Sequence, residues 1–158
     1  MYDCSSQDQQ DKCDFWDPTS GTMKLVDTGM SSMAANEAYA LAELANAIGR
    51  AEDAFQLRAR ADGYAAAIRS TLWDESRGIY ANLVLTNKSL SARISPTSFY
   101  PLMLGSRGKN DDAHADAMMG RWLTNATRFC VGNTTDECHW GLPSISADDD
   151  SYAALGYW

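Results

Sequence analysis

Two kinds of side chain in this sequence are placed where they could do chemistry: carboxylates in unusual settings and aromatics set among polar residues. Glu37 comes first. A helix over about residues 31–48 puts Met30, Met33, Ala34, Leu41, Leu44, Ala45 and Ile48 on one face, and Glu37 falls inside that stripe. A carboxylate on an apolar face needs a partner, a hydrogen bond or an open cavity. It reads either as a polar contact at the floor of a pocket or as the partner of an arginine or of loop amides. Asp27 precedes the helix and reads as its cap, with a cleft-facing role as the alternative. Asp148-Asp149-Asp150 lacks the alternating oxygens and the glycine of a calcium loop, so it reads as a solvated turn. His114 and His139 have no partner at ligand spacing, which argues against a metal site. Trp73, Tyr80, Trp140, Tyr152, Tyr157 and Trp158 are interleaved with polar residues. Such aromatics serve as platforms on which a pyranose stacks its C–H face, or as helix-packing core. No nucleophile elbow, phosphate loop or dinucleotide fingerprint is present, and no cofactor is implied.

The elements that must position these groups are mostly helical. The first helix takes its cap from Ser31 or Ser32 and ends at Gly49, the glycine expected just beyond a helix end. The second runs from about Glu52 to Leu72, with a face of Ala54, Leu57, Ala61, Tyr64, Ala65, Ile68 and Leu72. The short Gly49-Arg50 link makes the two an antiparallel hairpin. Residues 1–28 are turn-rich, with Asp17-Pro18-Thr19-Ser20-Gly21 as a turn. Residues 78–85 and 90–94 read as a short β-hairpin turned by Thr86-Asn87-Lys88. Ser95-Pro96 opens a third helical segment that ends at Gly105. Asn110-Asp111-Asp112 caps a fourth carrying Ala115, Met118, Met119 and Trp122, and the chain beyond Asn125 is irregular. The expected fold class is all-α: helix hairpins in an (α/α) toroid or solenoid, with one short β-hairpin.

Size and charge set the outer bounds. The 158 residues amount to one domain. Thirteen basic residues face 21 acidic ones, with no Lys/Arg cluster, so neither nucleic acid nor an anionic membrane is an expected partner. No apolar run approaches the roughly 20 residues of a membrane span. The start, Met1-Tyr2-Asp3-Cys4, has neither the basic flank nor the apolar stretch of a signal peptide.

The four cysteines allow three pairings. Loop-closure entropy favours Cys4–Cys13 and Cys130–Cys138; the alternative is four reduced thiols in a cytosolic protein. Three Asn-x-Ser/Thr sequons, at Asn87, Asn125 and Asn133, weigh toward an oxidising secretory, extracellular or lysosomal setting.

Three segments in order carry a family resemblance. They are Leu72-Trp73-Asp74-Glu75-Ser76-Arg77-Gly78-Ile79-Tyr80, then Arg93-Ile94-Ser95-Pro96-Thr97-Ser98-Phe99-Tyr100-Pro101-Leu102, then Trp140-Gly141-Leu142-Pro143-Ser144-Ile145-Ser146 with Gly156-Tyr157-Trp158. Together with Asp27-Thr28-Gly29-Met30, they resemble the six-hairpin (α/α) barrel glycosidases of glycoside hydrolase family 63 and the mannosylglycerate-hydrolase-like group. The resemblance spans nearly the whole chain. It implies a partial six-hairpin catalytic domain over residues 1–158. It also implies inverting hydrolysis of an α-glycosidic bond in an oligosaccharide or glycoside, by two carboxylates about 6.5–9.5 Å apart. In the family the acid precedes the residues matching Met1-Tyr2-Asp3 and the base follows those matching Tyr157-Trp158. The chain is therefore expected to be a fragment, with no catalytic residue of its own. Tyr157 and Trp158 would belong to the substrate pocket, with Asp27, Glu37 and Arg93 as weaker candidates. A non-catalytic helical binding or scaffold protein derived from the fold is the competing reading.

Overall fold

The computed structural model describes residues 16–17, 19–105, 112–130 and 142–152. Its centre is a helix pair. Helix α1 spans Thr28–Ala47 and α2 spans Ala51–Thr71. Gly49 joins them at φ +78°, a left-handed conformation in which a Cβ would be strained. The expected antiparallel hairpin is therefore present.

Helix α1 starts earlier than its sequence suggests. Asp27 is extended and its Oδ1 accepts from the Met30 N–H at 2.7 Å, so Asp27 is the cap rather than Ser31 or Ser32. Ser32 is buried inside the helix, its hydroxyl donating to the Thr28 carbonyl at 2.7 Å.

The larger correction concerns which face of α1 is buried. Ala35, Ala38, Tyr39, Ala42 and Ala45 are inside, together with Thr28, Gly29 and Ser32. Met30, Met33, Leu41, Leu44 and Ile48 all face outward, from 41% exposed at Met33 to 73% at Ile48. The small residues win the inner face because α2 presents Ala54, Ala61 and Ala65 to the same seam. Alanine against alanine brings the two backbones close, and large side chains would hold them apart. On α2 the expected face is largely right: Ala54, Ala61, Ala65, Ile68 and Leu72 are buried and Leu57 is half-buried, whereas Tyr64 is exposed.

The segment 78–94 is more divided than one hairpin. After α2, strand β4 (Trp73–Asp74) pairs with β5 (Ile79–Tyr80) across a turn whose Gly78 has φ +67°. Strand β6 (Leu83–Val84) then pairs with β7 (Ser89–Leu90), and β6 pairs on its other edge with β3 (Leu25–Val26). The Thr86-Asn87-Lys88 turn is where it was expected, but the sheet has three strands, and its third comes from the chain before α1. Near the start, β1 (Trp16–Asp17) pairs with β2 (Thr22–Met23) around the expected turn, closed by the Gly21 N–H on the Asp17 carbonyl at 2.8 Å.

The third helical segment is a 3₁₀ helix over Pro96–Leu104. Pro101 sits inside it and has no N–H to donate, which does not suit a longer α-helical ladder. It lies so close to α1 that a Cβ on Gly29 would come within 2.7 Å of Thr97 Cβ. Helix α3 (Asp112–Met118) continues as a π-helical turn over Met119–Leu123. Met118 and Trp122 are buried from it as expected, while Met119 is exposed. Its expected cap at Asn110 and Asp111 lies outside the described residues. Beyond Asn125 the described residues form turns only.

One core joins these elements. Tyr39, Leu72, Ile79, Tyr80, Ile94, Leu104, Met118 and Phe129 are all essentially inaccessible. Burying each large side chain contributes about 1.5–3 kcal/mol. Trp73 stacks on His114 with ring centres 3.6 Å apart, and the Tyr80 hydroxyl is 3.0 Å from His114 Nδ1. The sequence left His114 isolated; here it fastens α3 to the β4–β5 hairpin. Among the described residues no helix is long and apolar enough to cross a membrane.

Candidate functional site

Two polar places stand out, and the three-stranded sheet connects them. The first is the head of α1. The Thr28 N–H donates to Asn82 Oδ1 at 2.8 Å, and Asn82 Nδ2 donates to Asp27 Oδ2 at 3.4 Å. Asp27 therefore caps the helix with one oxygen and meets the end of β6 with the other. Asn82 is 6% exposed and Thr28 is fully buried, with its hydroxyl oxygen lacking a hydrogen-bond partner.

The chain from Asn82 leads directly to the second place. The Ser91 N–H donates to the Asn82 carbonyl at 2.7 Å, and the Ser91 hydroxyl accepts from the Arg93 N–H at 3.2 Å. Arg93 then enters an open cleft of about 970 Å³, walled by Arg77, Ser89, Ser91, Arg93, Arg128 and Asp149 among others.

The guanidinium groups of this cleft are fixed. Arg93 donates to both carboxylate oxygens of Asp149, at 3.0 and 3.3 Å, and to the Ser151 hydroxyl at 2.6 Å. Arg128 donates to Asp148 Oδ2 at 3.0 Å and to the Arg121 carbonyl at 2.8 Å, and lies 3.8 Å over the Trp122 ring. Arg77 donates to Asp74 Oδ2 at 2.7 Å and to the Ala92 carbonyl at 3.1 Å. Burial alone would raise the Asp74 carboxyl, but hydrogen bonds from Ser76, the Arg77 N–H and the Arg77 guanidinium outweigh it and hold its pKa at about 2. Ser146 N–H on the Ile94 carbonyl and Ala147 N–H on the Arg128 carbonyl, both at 2.9 Å, tie the 146–151 turn onto this wall.

The expected site residues thus separate. Asp27 and Arg93 lie at two ends of one hydrogen-bonded path. Glu37 is exposed on the outer stripe of α1, between Met33 and Leu41; the expectation of a buried carboxylate fails because the helix is turned the other way. Tyr157 and Trp158 lie outside the described residues. Asp148 and Asp149 are arginine partners rather than a plain solvated turn, and Arg77, Arg128, Asn82 and Ser91 were missed. The sequence offered only one faint signal for them, an acidic run in a chain with few basic residues. Among the described residues no three His, Cys, Asp or Glu side chains gather to hold a metal ion.

No disulfide joins two described residues. Cys130, 1% exposed, is disulfide-bonded, while Cys4, Cys13 and Cys138 lie outside the described residues. Asn87 Oδ1 accepts from the Ser89 N–H and hydroxyl at 3.0 and 2.8 Å; Asn125 does the same with Thr127 at 2.9 and 2.8 Å. Both described sequons are therefore tight side-chain turns, and Asn133 lies outside the described residues.

A helical-hairpin domain with a small antiparallel sheet and a polar, arginine-walled cleft suits a protein that handles polar ligands. Residues 2–158 match the mannosylglycerate hydrolase MGH1-like glycoside hydrolase domain, and the chain belongs to that family. A comparison with curated proteins finds no match.

Proposed function

We propose that this chain is the substrate-contacting part of an inverting glycoside hydrolase acting on α-linked oligosaccharides or glycosides, and that its helix hairpins belong to an (α/α)6 toroid. Family membership supports the glycosidase reading. The observation that carries the division of labour is the state of the carboxylates. A general acid needs a raised pKa and a proton it can give up. Asp27 caps a helix, Asp148 and Asp149 hold arginines, and Asp74 is held at about 2. These are structural or ligand-positioning carboxylates. Asp27, Glu37, Arg93, Tyr157 and Trp158 are proposed to touch substrate.

Chain 1–158 is accordingly expected to bind glycosides without turning them over. A positioned acid or base is worth about 10²–10⁴-fold in rate, so a site built without one turns over correspondingly slowly. Proton NMR of α-glucosides and α-mannosides incubated with the chain tests this. Turnover that Asp27→Asn or Glu37→Gln abolishes would overturn the division of labour. Binding with no turnover, even when the chain is part of its complete natural protein, would favour a non-catalytic binding or scaffold role. We further propose Cys130–Cys138 and Cys4–Cys13 pairing and glycosylation at Asn87, Asn125 and Asn133 in a secretory, extracellular or lysosomal setting. Mass spectrometry of the native protein before and after reduction and deglycosylation reads both.

A further inference from the structure

The β6–β7 turn carries a chemistry that the glycosidase reading does not use. Asn87 stands at its exposed tip, followed by Lys88 at φ +58°. The Asn87 Oδ1 accepts from both the N–H and the hydroxyl of Ser89, so the side chain is fixed by its oxygen. Its Nδ2 meets no acceptor among the described residues and is left to solvent. Asn125 makes the same turn with Thr127, but it is half-buried, and its carbonyl accepts from the Arg128 and Cys130 N–H groups, which tie it against the core. Of the two, only Asn87 also borders the cleft, with Thr86 and Ser89 beside it and Asp148 and Asp150 on the same lining. A glycan on Asn87 is thus tethered at the cleft mouth. A short tether holds its innermost sugars at an effective concentration in the millimolar range, so weak contacts suffice to keep them there. Sugar hydroxyls donate to aspartate oxygens and accept from guanidinium N–H groups without breaking the ion pairs. The cleft, at about 970 Å³, has room for units of that size.

We propose that Asn87 carries a glycan that lies across the mouth of the cleft and screens Arg93, so that a ligand's bulk decides whether it reaches that arginine. In the coupling, Asn87 Nδ2 loses a proton and bonds to C1 of the first sugar. The C1–O bond of a lipid diphosphate-linked oligosaccharide breaks, and the diphosphate leaves with the electron pair. This rests on the proposed secretory setting, and it adds what one glycan does there.

The test takes the native protein, maps its glycopeptides by mass spectrometry, and follows arginine modification by phenylglyoxal before and after enzymatic trimming of the glycans to their first sugar. Asn87 is expected to be occupied. Trimming is expected to speed modification of Arg93 by at least about twofold, the change that half-occupancy of the mouth produces. Arg60, exposed on α2 and outside the cleft, should react at one rate throughout. Ser89→Ala removes the sequon while keeping Asn87, and it should match the trimmed protein. A bare Asn87, an Arg93 rate unchanged by trimming, an equal rise at Arg60, or a Ser89→Ala protein as slow as the untrimmed one would each overturn the proposal. A bare Asn87 beside an occupied Asn125 or Asn133 sinks the cleft glycan alone; all three bare sink the secretory setting with it. Neither outcome touches the glycosidase reading, which turnover tests.

Discussion

Arg93 grips Asp149 through both carboxylate oxygens, at 3.0 and 3.3 Å, and so fastens a turn near one end of the sequence to the strand edge at its middle. The pair is only partly exposed, 34% at Arg93 and 13% at Asp149. Two-point geometry and reduced solvent screening raise it above a typical surface ion pair. Asp149→Ala should therefore release the 146–151 turn before it unfolds the domain. Faster amide hydrogen exchange confined to that turn and to residues 93–94 is the expected pattern; exchange that speeds up evenly everywhere would show that the pair does not act locally.

Asn82 joins β6 to the head of α1. It is buried, and its amide oxygen takes up the Thr28 N–H. Asn82→Ala leaves that donor without a partner, at a cost of about 1–3 kcal/mol. Asn82→Asp keeps the acceptor but sets a second carboxylate beside Asp27, so it should be destabilising at neutral pH and less so in acid. Urea unfolding at the two pH values checks both variants.

Acid should weaken the β4–β5 turn through Asp74. Its carboxyl sits at about 2 in the folded protein against an ordinary value of 3.8. The folded value is depressed, so the contribution is fully present above pH 4 and is lost as pH falls through 2. Its size is on the order of 2 kcal/mol. The stability gap between the protein and Asp74→Asn should accordingly narrow between pH 4 and 2. A gap independent of pH would remove the ion pair as its cause.

Two glycines on the helix pair should respond in opposite directions. A Cβ at Gly29 would collide with Thr97, so Gly29→Ala is expected to destabilise by about 1–3 kcal/mol. Gly63 lies inside α2 with nothing near its missing Cβ, so Gly63→Ala is expected to stabilise by about 0.5–1 kcal/mol. Thermal melts of the two variants read both signs.

The outer stripe of α1 predicts self-association. Met30, Leu41, Leu44 and Ile48 are each more than half exposed on one helix face. Exposed large apolar side chains grouped on one helix face, here interrupted by Glu37, mark contact sites. Leu44→Lys with Ile48→Gln should leave the melting temperature unchanged and reduce association in sedimentation velocity. An unchanged sedimentation profile would show that the stripe is inert.

The sequence by itself determined the helix pair, its glycine hinge, the placement of the turns and the family. Each rests on local chemistry: 3.6-residue periodicity, a left-handed glycine, a sequon or turn residue in its own loop. Only tertiary structure decided which face of α1 is buried. The helix carries two apolar faces, one of Met, Leu and Ile and one of alanines with Tyr39, so periodicity marks two candidates, and the alanine seam of α2 selects the one with the smaller side chains. The same holds for the cleft. Arg93 and Asp149 are unremarkable where each stands in the chain, and their pairing depends on a turn folding back across 56 residues, which no local pattern encodes. Glu37 shows the converse: its place in the stripe was legible, but whether that stripe faced core or solvent was fixed by how closely two helices can approach.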